Sequence, residues 1–283
     1  MASMAAPQIH PTAVLEGPVD LADDVVVGPL TVIRARADAP VRIGPGTRLM
    51  GRCWLEGPLT MGAGNVVYPE ATLGLAPQDL KWDPDEAGAG LSVGDGNVFR
   101  EGVTIHRATS RETPTRIRDR NYFMAHSHAG HDVAIGSHCI FANGTLFGGH
   151  VKVDDRVVTG GNTAVHQFVR IGRLCMISGG IGLSRDLPPF FMLTGINIAG
   201  GLNLVGMRRN GFTREEIDDV RWAQRTLYHS GRSIRDAASI LAERADRPPV
   251  RELIEFIASS KRSICDGRPN PMRGKVSADA VEE

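Results

Sequence analysis

From Ile117 onward the chain is written in units of six: IRDRNY, FMAHSH, AGHDVA, IGSHCI, FANGTL, FGGHVK, VDDRVV, TGGNTA, VHQFVR, IGRLCM, ISGGIG. Position one is Ile, Phe, Val, Ala or Thr, and position two is mostly Gly, Ala, Ser or Asp. A period of six matches neither the strand period of 2 nor the helix period of 3.6. It suits a short strand and a corner, repeated three times per turn, which stacks 18-residue coils into a prism with three flat faces. The first residue of each hexad is then expected to point inward, and the small second residue to fit the tight corner.

Earlier coils keep the pattern with interruptions, at Ile43-Gly44, Met61-Gly62 and Val93-Gly94. Their offsets predict a short extra loop between Leu21 and Ile43, a long insertion around 75–91 and a smaller one near 107–115. Loops that leave a regular solenoid often carry function. The hexads stop near Leu187-Pro188-Pro189, and a glycine-rich connection leads to helices. Thr213 and Glu216 form a capping box, followed by Ile217, Val220, Ala223, Leu227 and Tyr228 at helical spacing, with Gly231 as the stop. A second helix is predicted from Ser233 to about Arg247 and a third over 250–260. The domains expected are a prism over 9–190, a helical unit over 191–265 and a disordered tail over 266–283.

Composition agrees with a solenoid. Glycine is 33 of 283 residues and aromatics are 5%, which points to a core of small and β-branched side chains rather than large rings. Lys plus Arg and Asp plus Glu are both 32, and this balance argues against a nucleic-acid partner. The four cysteines form no CxxC pair, so a reduced, cytoplasmic setting is expected. The uncharged stretch between Asp186 and Arg208 holds two prolines and several Gly and Asn residues, which argues against a transmembrane segment.

Residues 18 apart stack on one edge of such a prism. His131, Gly149 and Gln167 form one column; Asp132, His150 and Phe168 the next; Gly130, Gly148 and His166 the preceding one, with His128 on the approach. Three chemistries compete for such a cluster: a neutral imidazole as general base, histidines gathered around zinc, or an anion site.

The motif HSHAGHD over 126–132, with Thr163–Phe168, Pro77–Lys81 and Gly102–Arg107, resembles the UDP-N-acetylglucosamine O-acyltransferases of lipid A biosynthesis. The similarity runs from about His10 to Phe256. It implies a left-handed parallel β-helix followed by a small α-helical domain, a homotrimer with sites between prisms, and no cofactor or metal. The implied donor is acyl carrier protein, through a phosphopantetheine thioester; the implied acceptor is the sugar 3-hydroxyl of a UDP-sugar. By resemblance His131 is the general base, Asp132 orients it and the Gly149 N–H holds the oxyanion. His128, His150, His166, Gln167, Asn203, Arg208 and Arg209 would bind substrate. So would Gln78, Asp79 and Lys81, with Asp79 and Lys81 reaching a neighbouring prism. Met176 and Gly179 would line the acyl-chain groove, Gly179 over Gly161 leaving open space. Lys152, Arg170 and Arg173 are expected to receive the acidic carrier.

The chain departs from the family in three places. Gly130 stands where alanine is usual, the connection over 195–203 is one residue short, and Asn210 replaces an arginine. Two other readings stay open: N-acyl transfer to a 3-amino UDP-sugar, and a carbonic-anhydrase-type zinc enzyme. For the latter, His131, His150 and His166 fall in three different columns rather than one.

Overall fold

The computed structural model describes residues 6–83 and 85–267; from residue 268 on, the expected tail lies outside them. The chain coils into a left-handed parallel β-helix. Its strands, mostly two or three residues long, form three sheets of eleven, nine and eight strands, and neighbours within the prism are almost always three strands apart in sequence. Pairing is parallel and in register with the coil period: Tyr122 sits beside Ile140, and Ile140 beside Val158. The 75–91 insertion interrupts this without breaking it, since Leu91 still pairs with Leu59.

Position one of all eleven hexads faces inward. Ile117, Phe123, Ala129, Ile135, Phe141, Phe147, Val153, Thr159, Val165, Ile171 and Ile177 are all buried. The expectation of a core without large rings does not hold. Phe99, Phe123, Phe141 and Phe147 are fully buried, and neighbouring rings in this series lie 4.8–5.1 Å apart. Phe99, Phe123 and Phe141 follow one another along the axis and Phe147 meets Phe141 edge-on from the adjoining sheet, filling the triangle where aliphatic side chains would leave gaps.

The corners also work differently from the hexad reading. The left-handed residue is the fourth of each hexad, not the second. It runs without a gap through Arg120, His126, Asp132, His138, Gly144, His150, Arg156, Asn162, Phe168, Leu174 and Gly180, with φ between 54° and 69°. Nine of these eleven are not glycine, so coil stacking holds L-residues in a conformation they usually avoid. Small second-position residues answer a different constraint. A Cβ on Gly148 would lie 2.8 Å from Gln167 N, so it is close approach of the next coil that excludes a side chain. At another corner, buried Asn65, Asn97 and Asn121 form a ladder: each asparagine Oδ1 accepts the N–H of the residue stacked on it, ending at Cys139.

The prism is closed by a hairpin. Phe191–Gly195 pairs in parallel with Met176–Ile177 and returns antiparallel as Ile198–Leu202. Residues 191–202 therefore extend the sheet, and helices begin at α1, Leu204–Arg209, which periodicity does not predict. Next come α2 (Arg214–His229), α3 (Ile234–Leu241), a 3₁₀ turn (Ala242–Arg244) and α4 (Pro248–Ala258). The Thr213–Glu216 capping box is present, and α2 buries the five expected residues, Ile217, Val220, Ala223, Leu227 and Tyr228. Past α4 the chain returns to the prism: Ile264 bridges to Asp186 and Asp266 to Ile198. Among the described residues no helix is long and apolar enough to cross a membrane, and all four cysteines are buried and free.

Candidate active site

The histidines meet at the corner between the nine-strand and eight-strand sheets. Strands His128–Ala129, Leu146–Phe147 and Ala164–Val165 enter it; Ala134–Ile135, Lys152–Val153 and Arg170–Ile171 leave it. The predicted columns are real. His150 N–H donates to His131 O at 2.9 Å, and Phe168 N–H to Gly149 O at 3.0 Å.

His131 Nδ1 lies 2.7 Å from Asp132 Oδ2. Asp132 Oδ2 also accepts from the Thr109 hydroxyl at 2.6 Å and the Thr109 N–H at 3.1 Å, and Oδ1 accepts the Ser110 N–H at 3.0 Å. Burial pushes this carboxyl up, but the hydrogen bonds from His131, Thr109 and Ser110 outweigh it and hold Asp132 well below the usual carboxylate range. With Nδ1 committed to the carboxylate, His131 presents Nε2 toward the Gly149 coil. Among the described residues, the Gly149 N–H has no acceptor.

His150 lies edge-on to the His131 ring at 5.1 Å and stacks flat on Phe168 at 4.5 Å. Burial pushes the His150 pKa down, opposed by the Asp132 carboxylate. Asp79 also favours charged His150. Asp79 is half-buried on the long insertion. Gln78 and Lys81 are exposed on the same insertion, with Lys81 N–H donating to Asp79 Oδ1 at 2.9 Å. His128 bonds Thr104 Oγ1 at 2.7 Å, and burial drives its pKa down to about 4, with His106 adding to the shift. His166 and Gln167 are exposed at the next coil, where the Gln167 carbonyl accepts from Arg262 at 3.0 Å.

Other expected residues lie elsewhere. Asn203 is buried as the N-cap of α1; its Oδ1 accepts the Gly206 N–H and its Nδ2 donates to Leu174 O, both at 2.9 Å. Its side chain thus holds the start of α1 against the prism. Asn210 donates to Gly206 O at 2.8 Å at the far end of that helix. Arg208 and Arg209 are exposed in its last turn.

Met176 lies on the eleven-strand sheet and Gly179 at that sheet's corner with the nine-strand sheet, so neither shares the His131 corner of its own chain. Nor does Gly179 leave open space: a Cβ there would come 3.0 Å from Gly161 O. Of the basic residues expected to receive the carrier, Arg173 is clamped by Glu252 and Arg170 bonds Ser259 while covering the Phe256 ring. Both fasten α4 to the prism. Lys152 instead shares a groove of about 560 Å³ with Lys261 and Arg262, opening beside His150 and Phe168.

His131, Asp132 and His150 place one ligand atom each within 4.8 Å of one another and could hold a metal ion. The zinc reading set His131, His150 and His166 in three adjacent columns; across the corner, His131 and His150 come close enough to share an ion. Sequence reasoning missed Thr104, His106, Thr109 and Ser110 as parts of the site. The one signal for Thr109 and Ser110 was the six-residue surplus at 107–115.

Residues 186–265 match the model of the family described as UDP N-acetylglucosamine O-acyltransferase, domain 2. Over 258 residues the chain is 38% identical to an acyl-[acyl-carrier-protein]--UDP-N-acetylglucosamine O-acyltransferase of Aliarcobacter butzleri, covering 90% of this chain and 97% of that one. A relative of the same name from Syntrophobacter fumaroxidans is 40% identical over 261 residues, covering 91% and 99%. Among solved structures, the UDP-N-acetylglucosamine acyltransferase of Francisella novicida superposes with a TM-score of 0.88 at 31% identity, covering 98% of this chain and all of that one. The Campylobacter jejuni enzyme gives a TM-score of 0.82 at 33% identity, covering 92% and 100%. With near-complete coverage in both directions, the chain belongs to the acyl-[acyl-carrier-protein]--UDP-N-acetylglucosamine O-acyltransferase family.

Proposed function

We propose that the protein transfers a fatty acyl group, a 3-hydroxyacyl chain, from acyl carrier protein to the 3-hydroxyl of UDP-N-acetylglucosamine. This is the first step of lipid A biosynthesis, and the proposed setting is the cytoplasm. The observation that carries the reading is the His131–Asp132 contact of 2.7 Å beside the unengaged N–H of Gly149.

A sugar hydroxyl is a poor nucleophile near pH 7, so its proton must leave as it attacks. Asp132 accepts the Nδ1–H of His131 and fixes the tautomer in which Nε2 is the base. The hydroxyl proton passes to Nε2 while the sugar oxygen bonds to the thioester carbonyl carbon. Gly149 N–H donates to the oxygen that gains charge. The C–S bond then breaks, and the leaving thiolate takes the proton from Nε2. Proton and charge balance within the pair, with no acyl-enzyme and no cofactor beyond the carrier's own phosphopantetheine.

His128, His150, His166 and Gln167, with Gln78, Asp79 and Lys81, are the proposed sugar and nucleotide contacts; Arg208 and Arg209 are the proposed phosphate contacts. A homotrimer is part of the proposal. It is supported by the outward row Val66, Val98, Tyr122, Ile140, Val158 and Met176 on the eleven-strand sheet, and by Leu80, wholly exposed on the long insertion. Such packing would bring a neighbour's Met176 and Gly179 toward the His131 corner.

The test is mass spectrometry of products from UDP-N-acetylglucosamine and its 3-amino analogue with a panel of acyl-carrier thioesters, in chelator. The expected product is the 3-O-acyl sugar, with transfer unaffected by chelation. His131→Ala is expected to lose about 10²–10⁴-fold in rate while the oligomer stays intact. Unaltered transfer by that variant rejects the base assignment.

A further inference from the structure

Asp132 is held by a segment that a regular coil does not have. Between Val93 and Ile117 the chain spends six residues more than one coil, and the surplus forms the loop from Arg107 to Pro114. Three of the hydrogen bonds that reach the Asp132 carboxylate come from this loop: the Thr109 hydroxyl and N–H on Oδ2 and the Ser110 N–H on Oδ1. Thr115, where the loop rejoins the prism, accepts the Asp132 N–H at 2.8 Å. The loop is pinned in turn. Ser110 Oγ bonds the N–H groups of Glu112 and Thr113, and Ala89 N–H donates to Ser110 O.

From this geometry we infer that the 107–115 insertion is a carboxylate cradle, and that Thr109 is a positioning residue which holds the Asp132 carboxylate in the orientation that engages His131. The inference rests on the general-base reading above only for its catalytic consequence. Thr109 shares Oδ2 with His131, so its hydroxyl does two things. It fixes the carboxylate plane so that Oδ2 faces Nδ1, and it draws charge from the oxygen that stabilises the imidazolium. Removing that donor while keeping the side-chain volume takes away a charge-assisted hydrogen bond and frees the carboxylate to turn away from Nδ1. The other titratable groups at the corner, His150 at 3.7 Å from Oδ2, His106, Asp79 and Lys152, are unchanged by the substitution.

The experiment is steady-state kinetics of the full-length protein with an acyl-carrier thioester and UDP-N-acetylglucosamine, with the melting temperature read alongside. Thr109→Val is expected to lower kcat about 10-fold or more while KM for both substrates stays unchanged. Thr109→Ser restores the donor and is expected to restore kcat. Thr109→Ala serves as the second variant should the valine protein not fold. An unchanged kcat in folded Thr109→Val or Thr109→Ala overturns the cradle, as does a loss that serine does not reverse. Failure of the base reading shows separately, as His131→Gln retaining transfer while Thr109→Val still loses it.

Discussion

Gly149 and His131 share a space that holds only one side chain: a Cβ built on Gly149 would lie 2.7 Å from both Cε1 and Nε2 of the imidazole. The glycine is not there for its backbone freedom, since its φ is not in the left-handed region. It clears room one coil away for the ring, and its own N–H has no acceptor among the described residues.

Gly149→Ala tests this directly. The methyl group must push the His131 ring off its contact with Asp132, and a displacement near 1 Å is enough to cost about 10²-fold in rate. The expected outcome is that loss in kcat with a melting temperature within a few degrees of the parent. Full activity in a folded Gly149→Ala protein rejects the pairing of base and N–H.

Acid stability follows from the buried histidines. His128 titrates at about 4 in the fold, against about 6.5 in an unfolded chain. Between those values the unfolded chain binds a proton that the folded chain refuses, so stability falls as pH drops from about 6.5 to about 4. His106 and His150 are shifted in the same direction and add to the slope in that window. Asp132 acts lower down: its depressed pKa contributes stability above the usual carboxylate range that is lost below it. Thermal melts should show a falling melting temperature over that interval, with a shallower slope in His128→Asn. Parallel slopes for the two proteins reject the assignment.

The groove beside His150 predicts where the carrier approaches. Arg170 and Arg173 are engaged with α4 and Arg262 with the Ser184 and Gln167 carbonyls, so among the described residues of this groove Lys152 and Lys261 are left to meet an acidic protein. Reversing both, Lys152→Glu with Lys261→Glu, should raise KM for acyl carrier protein several-fold, more at low salt than at high. KM for a short acyl-pantetheine thioester should stay unchanged. Equal effects on both donors remove the docking role.

Gly179 is the position at which the proposed acyl groove is tested. Its neighbour across the coil, Gly161 O, lies 3.0 Å from where a Cβ would sit, so Gly179→Met has to project outward from the corner. In the proposed trimer that places the side chain in the acyl groove, and the preferred donor should become shorter by several carbons. Unchanged selectivity among acyl thioesters sinks this placement.

How much of this was legible in the chain differs by residue. His131, Gly149 and Gln167 could be stacked from numbering alone, because a solenoid turns sequence distance into spatial distance with one fixed period. The same arithmetic located all three interruptions of the coil and every inward position from Ile117 to Ile177. It did not reveal that Asn203 caps α1, a six-residue helix too short and glycine-interrupted to leave a periodic signal. It also misplaced the reason for the corner glycines, since a hexad shows where small residues recur but not which atoms of the next coil exclude a Cβ.

Periodicity alone therefore determined that the protein is a three-faced prism and that four histidines and an aspartate crowd one edge. Tertiary structure decided which of them form a chemical unit. Thr109 and Ser110 reach Asp132 from 22–23 residues away through a loop that obeys no repeat. The direction of its N–H and O–H groups depends on how the loop folds back on the prism, a contact that local spacing does not encode.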